Sequence, residues 1–205
     1  MSAASFALAV YALFLAVAFG WRSWLQYRRT GDLGFRGFSR APVERLSSGL
    51  FVLGLLAGGL APLGELLGWL APARALVHPA GRVAGALLCA LGFALTVIAQ
   101  LQMGASWRIG VDARETTALV SGGVFGRVRN PIYSGMLLAL LGLFLLVPNG
   151  VSLSALLATA LGLELHVRKV EEPYLLRVHG ERYLRYAGRV GRFVPGVGRL
   201  SRVTR

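Results

Sequence analysis

Cysteine occurs once, as Cys89 inside an apolar run, so neither a disulfide framework nor a thiolate metal site can be built. Histidine occurs three times, as His78, His166 and His179, too few and too scattered for a membrane di-iron cluster, and no metal site is expected. Charge is scarce as well. At 15% charged and 55% hydrophobic, with a mean hydropathy of +0.61, the 205 residues lack the charge of a soluble domain. What charge there is leans one way: 22 basic residues, all arginine except Lys169, face 9 acidic ones, for a net +13. Such a balance can mark nucleic-acid binding, but here it coexists with long apolar runs. An anionic membrane surface and an anionic ligand account for it better, so a membrane partner is expected and nucleic acid is not. Two soluble-enzyme signatures are also missing. There is no G-x-S-x-G elbow, and Gly122, Gly123 and Gly126 make no dinucleotide fingerprint because no strand precedes them.

Five apolar segments are present, at about 5–21, 46–70, 83–103, 132–147 and 151–167, each near the ~20 residues that a spanning helix needs. The pattern predicts an all-α integral membrane protein with about five transmembrane helices. Gly58, Gly59 and Pro62 predict a kink or interruption in the second, and "PNG" at 148–150 predicts a tight antiparallel hairpin between the last two. Twenty of the basic residues fall in the first and third connections and the tail, and only Arg74 and Arg82 fall opposite. By the positive-inside rule this predicts an outside N-terminus and a cytoplasmic C-terminus. In the tail, Tyr174, Leu175, Val178, Tyr183 and Tyr186 alternate with arginines, the pattern of an amphipathic interfacial helix with a break near Gly180. By spacing alone, a surface anchor is the favoured role.

Ionisable groups beside spanning helices are candidates for function. Glu164, Arg168, Glu171 and Glu172 sit three and four residues apart, which predicts a chain of ion pairs at the end of the fifth helix. Adjacent glutamates point about 100° apart, so Arg168 cannot satisfy both and one is left for a ligand. Pro173 disturbs the helix at that point. Glu65 is assigned no role beyond snorkelling. Before the fourth helix, Trp107 and Arg108 lead into a Gly-rich stretch ending in "RNPIYSG", which bare interfacial anchoring would not require.

The blocks "LVSGGVFGRVRNPIYSG" and "EEPYLLRVHGERYLRYAGRVGRFVP", in order around a helical hairpin, resemble the isoprenylcysteine carboxyl methyltransferase and phospholipid methyltransferase superfamily over about 103–195. The resemblance implies three N-terminal transmembrane helices (1–103) and a methyltransferase core (104–205). It also implies S-adenosylmethionine as cofactor, bound on the cytoplasmic side, and a lipophilic acceptor such as a prenylcysteine-type carboxylate or a phospholipid amine. Carried residue by residue, the cofactor cradle falls on Thr117, Ala118, Leu119 and Val120, then on Phe125, Arg129, Asn130, Pro131, Ile132 and Tyr133, and on Glu171. Glu171, Glu172 and Arg168 are the candidate catalytic residues, and Trp107, Arg108 and Arg168 the candidates for holding the acceptor. Phe125 stands where relatives carry tyrosine. Asn130 stands where they carry histidine, which excludes a histidine base at that position. An NADPH-dependent membrane reductase of the sterol-reductase type, with a similar Arg-x-Pro-x-Tyr segment, and a non-enzymatic membrane scaffold are the alternatives.

Overall fold

A computed structural model describes residues 2–35, 41–110 and 118–200. It is all-helical, with no strand among the described residues. Helix α1 (Ala3–Leu15) runs through a π-helical stretch (Ala16–Trp21) into α2 (Arg22–Thr30), and the three form one rod. Helices α3 (Pro42–Leu66) and α4 (Pro79–Met103) follow, each opened by a proline, whose missing N–H costs nothing in the first turn. Then come α5 (Pro131–Leu146), α6 (Gly150–His166), a second π-helical turn (Val167–Glu171) and α7 (Glu172–Ala187).

Among the described residues, four helices are long and apolar enough to cross a membrane: Ala3–Thr30, Pro42–Leu66, Pro79–Ser106 and Gly150–Ala187. The expected fourth of five spans, α5, has 16 residues and a length of about 24 Å, short of a hydrocarbon core of about 30 Å. The expected interruption of α3 is absent: the helix is continuous across Gly58, Gly59 and Pro62. Pro62 lacks the N–H that would bond the Gly58 carbonyl, but it lies in the last turns, so the single bond it forfeits does not end the helix.

Small residues set the packing. Helices α4 and α5 run antiparallel with glycines facing glycines. A Cβ added at Gly92 would lie 2.5 Å from the Gly135 carbonyl oxygen, and one at Gly142 would lie 2.5 Å from that of Gly85. Backbones this close gain dispersion contacts that lipid chains cannot match, and this drives helix association where no hydrophobic effect operates. Helices α3 and α6 pair in the same way, Gly162 against Ser47 and Gly54 against Thr159. The ring of Tyr11 from α1 lies on Gly58 of α3, its hydroxyl donating to the Leu55 carbonyl at 2.5 Å.

The hairpin at 148–150 forms as expected. The Asn149 side chain accepts from the Ser152 N–H and Ser152 returns the bond, a reciprocal cap. Asn149 Nδ2 also donates to Glu65 at 2.8 Å, so Glu65 ties α3 to the hairpin instead of reaching for the interface. The break near Gly180 is real: its φ of 49° and ψ of −129° are conformations that glycine tolerates. The helix around it is no mere anchor, however. Tyr174 and Tyr183 are buried, and the Tyr186 hydroxyl donates to the Phe125 carbonyl at 2.7 Å. These aromatic residues face the protein because a cavity lies beneath them.

Candidate active site

The ends of α3, α4, α5 and α6 on one side of the bundle, together with α7, enclose a cavity of about 220 Å³. Both sequence blocks contribute to its wall. From the first come Leu119, Val120 and Phe125, then Arg129 through Tyr133, with Ala118 just ahead of it; from the second come Glu171, Tyr174 and Tyr183. Trp107 and Arg108 line it as well, and the Arg108 guanidinium donates to the Tyr174 hydroxyl at 2.9 Å. Thr117 lies outside the described residues.

The two adjacent glutamates have different surroundings. Glu171 lines the cavity, accepts from the Tyr133 hydroxyl at 2.5 Å and lies 3.5 Å from His166 Nε2. Glu172 does not reach the cavity. It is buried between two arginines: Arg129 donates to it at 2.6 Å, and Arg192 binds both its oxygens, at 2.8 and 3.1 Å. Arg192 also donates to Glu164 at 3.3 Å. Its pKa is raised by the hydrogen bond to Glu172, against burial, which lowers it.

The structure does not bring Arg168 to the cavity either. Its side chain is 56% exposed and pairs with Glu164, and the expected pairing with Glu171 and Glu172 is replaced by the pairs just described. The cause is the π-helical turn Val167–Glu171, whose wider hydrogen-bonded ring shifts the faces on which following side chains emerge. Three- and four-residue spacing therefore holds for Glu164 and Arg168 at the start of the turn but ceases to predict neighbours beyond it.

Arg129 touches the cavity, but its terminal nitrogens are engaged within the protein. Besides Glu172 they reach the carbonyls of Ala187, Val190 and Gly198 at 3.0, 2.6 and 3.0 Å. The backbone N–H groups of Arg129 and Asn130 donate to Gly191 and Arg192 at 2.8 and 3.1 Å, and Ser134 Oγ donates to Phe193 at 2.7 Å. So "RNPIYS" clasps the segment that follows α7, and that clasp holds α7 over the cavity.

Several cavity residues carry no sequence signal. Glu44, Ser47 and Phe51 come from α3, Phe19 from the π-helical stretch after α1, Gln100 from α4 and His166 from α6. Gln100 is 1% exposed. Its amide nitrogen donates to the Ala18 carbonyl at 2.8 Å, which leaves Oε1 buried with no partner. His166 reads in sequence as a basic residue completing a helix C-terminus. Its five-residue separation from Glu171 was the one available clue, and only a π-turn makes that spacing meaningful.

Comparison with known proteins agrees with this geometry. A family model for phospholipid methyltransferases matches residues 80–182, half of the chain, beginning with α4. No curated protein gives a sequence match. Among solved structures, the eukaryotic intramembrane Ras methyltransferase ICMT (isoprenylcysteine carboxyl methyltransferase) is similar, with a TM-score of 0.59 and 21% identity. The similarity covers 94% of this chain but 66% of that one, so this chain spans just under two thirds of its length. At that identity the likeness establishes a shared fold. The family match and the membrane-spanning helices lead to one assignment: the chain belongs to the phospholipid methyltransferase family of membrane methyltransferases.

Proposed function

We propose that this protein is an S-adenosylmethionine-dependent methyltransferase that acts, within the membrane, on a lipophilic acceptor. The observation that carries the reading is the cavity itself, walled by both sequence blocks, with Glu171 held by Tyr133 and turned toward it. The donor set suits the cofactor. Glu171 can accept from the ribose hydroxyls or the amino group, and Arg108 can donate to the carboxylate. The face of Tyr133 suits a cationic sulfur, whereas the Trp107 ring already holds the Arg22 guanidinium 4.4 Å from its centroid. The buried, unpartnered Gln100 Oε1 is a further acceptor that a bound N–H or O–H would satisfy. When bound, the cofactor supplies a methyl group on a positively charged sulfur, so transfer depends on in-line positioning and a suitable electrostatic surround.

A lipophilic acceptor is supported by the apolar residues of the cavity wall, and a small apolar space of about 20 Å³ lies beside the cavity. Phe51 and Met136 line both spaces, and Tyr11, Leu55 and Leu143 lie beyond them. In this reading residues 104–205 form the donor-binding core, and Phe19, Ser47, Phe51 and Gln100 from the first 103 complete its wall. The arginine bias supports a cytoplasmic mouth, an outside N-terminus and a cytoplasmic C-terminus.

Calorimetric titration of the detergent-purified protein with S-adenosylhomocysteine, and separately with NADPH, tests this. Micromolar binding of the first alone is expected, weakened about 10-fold or more in Glu171→Gln, the cost of one charge-assisted hydrogen bond. Binding of NADPH alone would overturn the reading in favour of a reductase.

A further inference from the structure

Arg22, at the start of α2, is 0% exposed, and its contacts run to the segment that follows α4. Its Nη2 donates to the Gly104 carbonyl at 2.6 Å and its Nη1 to Gln26 Oε1 at 3.1 Å. Gln26 Nε2 donates in turn to the Ala105 carbonyl at 2.9 Å. The guanidinium carbon stands 4.4 Å from the centroid of the Trp107 ring, which is 3% exposed. Within 103–110, Met103 and Ser106 through Gly110 line the cavity. Gly104 and Ala105 are the other two residues, and theirs are the carbonyls that α2 holds. The segment does little to shape itself. Beyond a three-residue 3-10 turn its backbone is irregular, with φ of 57° at Gly104 and 87° at Gly110. The connection after α2 closes on it as well: the Ile109 N–H donates to the Gly34 carbonyl at 2.7 Å, and a Cβ at Gly34 would lie 3.0 Å from Trp107 Cζ3. Its shape is therefore imposed by the N-terminal rod and the connection that follows it.

We propose that Arg22 is a positioning residue for the methyl-donor site: from a helix ahead of the family match it sets Trp107 and Arg108 in the cavity wall, and binding of the donor depends on it. This rests on the methyltransferase reading above and deepens it, because Arg108 is there the partner of the donor's carboxylate. Burying a cation is costly, and fastening alone does not require one, since a neutral amide serves a carbonyl as well. A guanidinium does several things at once that an amide or an ammonium does not. Its planar fork supplies two directed bonds while its delocalised charge sits over the indole. Backbone and ring are then set together, and with them the direction in which the next side chain, Arg108, leaves the chain. Arg108 reaches Tyr174 of α7 at 2.9 Å, so a displacement of the wall by about 1 Å carries that bond out of hydrogen-bonding range. Lysine keeps the charge of Arg22 but offers a point donor in place of the fork. It is not expected to hold the wall.

The test uses the full chain in detergent with Trp21, Trp24 and Trp69 replaced by Phe, which leaves Trp107 as the one tryptophan. Two quantities are read: Trp107 emission with its quenching by acrylamide, and the affinity for S-adenosylhomocysteine by calorimetry. In Arg22→Lys the emission should move to longer wavelength and acrylamide should quench it more. The affinity should fall about 10-fold, the loss of one charge-assisted hydrogen bond. Gly34→Ala leaves Arg22 in place and presses on the Trp107 ring from another element, so it should shift both readings in the same sense even where Arg22→Lys fails to fold. Asn149→Ala, in the hairpin between α5 and α6, is the control: it should lower resistance to a denaturing detergent and leave both readings as they were. A purely structural Arg22 would make Arg22→Lys behave like that control, and this result would overturn the proposal. So would a shifted Trp107 emission with unchanged affinity in both variants. Failure of the parent to bind S-adenosylhomocysteine would strike at the methyltransferase reading instead, and Trp107 emission alone would then decide whether Arg22 sets the wall.

Discussion

Glutamates 171 and 172 are neighbours in sequence, but they should fail in different ways when replaced. In Glu172→Gln the carboxylate that faces Arg129 and Arg192 becomes a neutral amide. Both cations are nearly buried: their side chains are 2% and 9% exposed, against 8% for the glutamate. The change removes the negative partner of two low-dielectric pairs, leaving Arg129 to main-chain carbonyls and Arg192 to Glu164 alone, and breaking one buried pair costs roughly 3–5 kcal/mol. At 1.4 kcal/mol per tenfold, that is about a hundredfold to several-thousandfold in the folded-to-unfolded ratio. Arg168→Ala is the matched control. It breaks the Glu164 pair, whose arginine is 56% exposed, and such solvated pairs are worth under about 1 kcal/mol. Both variants would be unfolded in mixed micelles by titration with a denaturing detergent, read by near-UV circular dichroism. Glu172→Gln should shift the midpoint strongly and Arg168→Ala hardly at all. Equal shifts would refute the claim that the arginine pair around Glu172 is a buried fastening. The alkaline side should show no counterpart. The Arg192 pKa is raised in the folded protein, so its stabilisation is complete below the ordinary arginine range and is lost only as pH climbs past that range.

Two further perturbations probe the scaffold. Gly92→Leu inserts a branched side chain where even a Cβ would lie 2.5 Å from the Gly135 carbonyl oxygen, so α4 and α5 must separate. Expression of monodisperse protein should collapse, whereas Gly20→Ala, with nothing within 4 Å of the added carbon, should leave it unchanged; normal yield from Gly92→Leu would contradict the glycine-on-glycine contact. Asn149→Ala removes both the cap of α6 and the donor to Glu65, and should cost about 1–2 kcal/mol in the same detergent titration. A neutral result would mean that the hairpin is held by its proline and glycine geometry alone.

The fold was legible where one physical signal acted alone. Apolar length located the helices to within a few residues at most ends, and the small-residue turn at 148–150 was readable as a hairpin because nothing else competes over three residues. Legibility failed where two signals conflicted. Pro62 and the Gly58–Gly59 pair argued for a kink or an interruption in α3, and the interruption does not occur: the glycine at 58 receives the Tyr11 ring, and packing overrides propensity. The alternation around Tyr183 and Tyr186 looked like an interfacial helix because facing lipid and roofing a cavity demand the same apolar stripe. At Arg168 the spacing rule assumed 3.6 residues per turn, and the π-turn breaks that assumption.

The site divides along the same line. Its motif residues could be named from the sequence, but the role of Arg129 could not, since its partners at Ala187, Val190 and Gly198 are main-chain carbonyls some sixty to seventy residues away. No side-chain pattern encodes a carbonyl. The same blindness hid Ser47, Gln100 and His166, which look like ordinary polar residues of apolar helices until tertiary packing sets them around one space. That bears on how the two halves of the chain cooperate. The motif block clasps the segment after α7 and so roofs the cavity. The helices before it supply Ser47 and Gln100 to the same cavity, Gln100 from α4 within the family match and Ser47 from α3 ahead of it. If donor recognition resides in the motif, discrimination among acceptors falls to the helices that precede it, because there the wall offers polar groups, Ser47 and Gln100, that the motif does not provide.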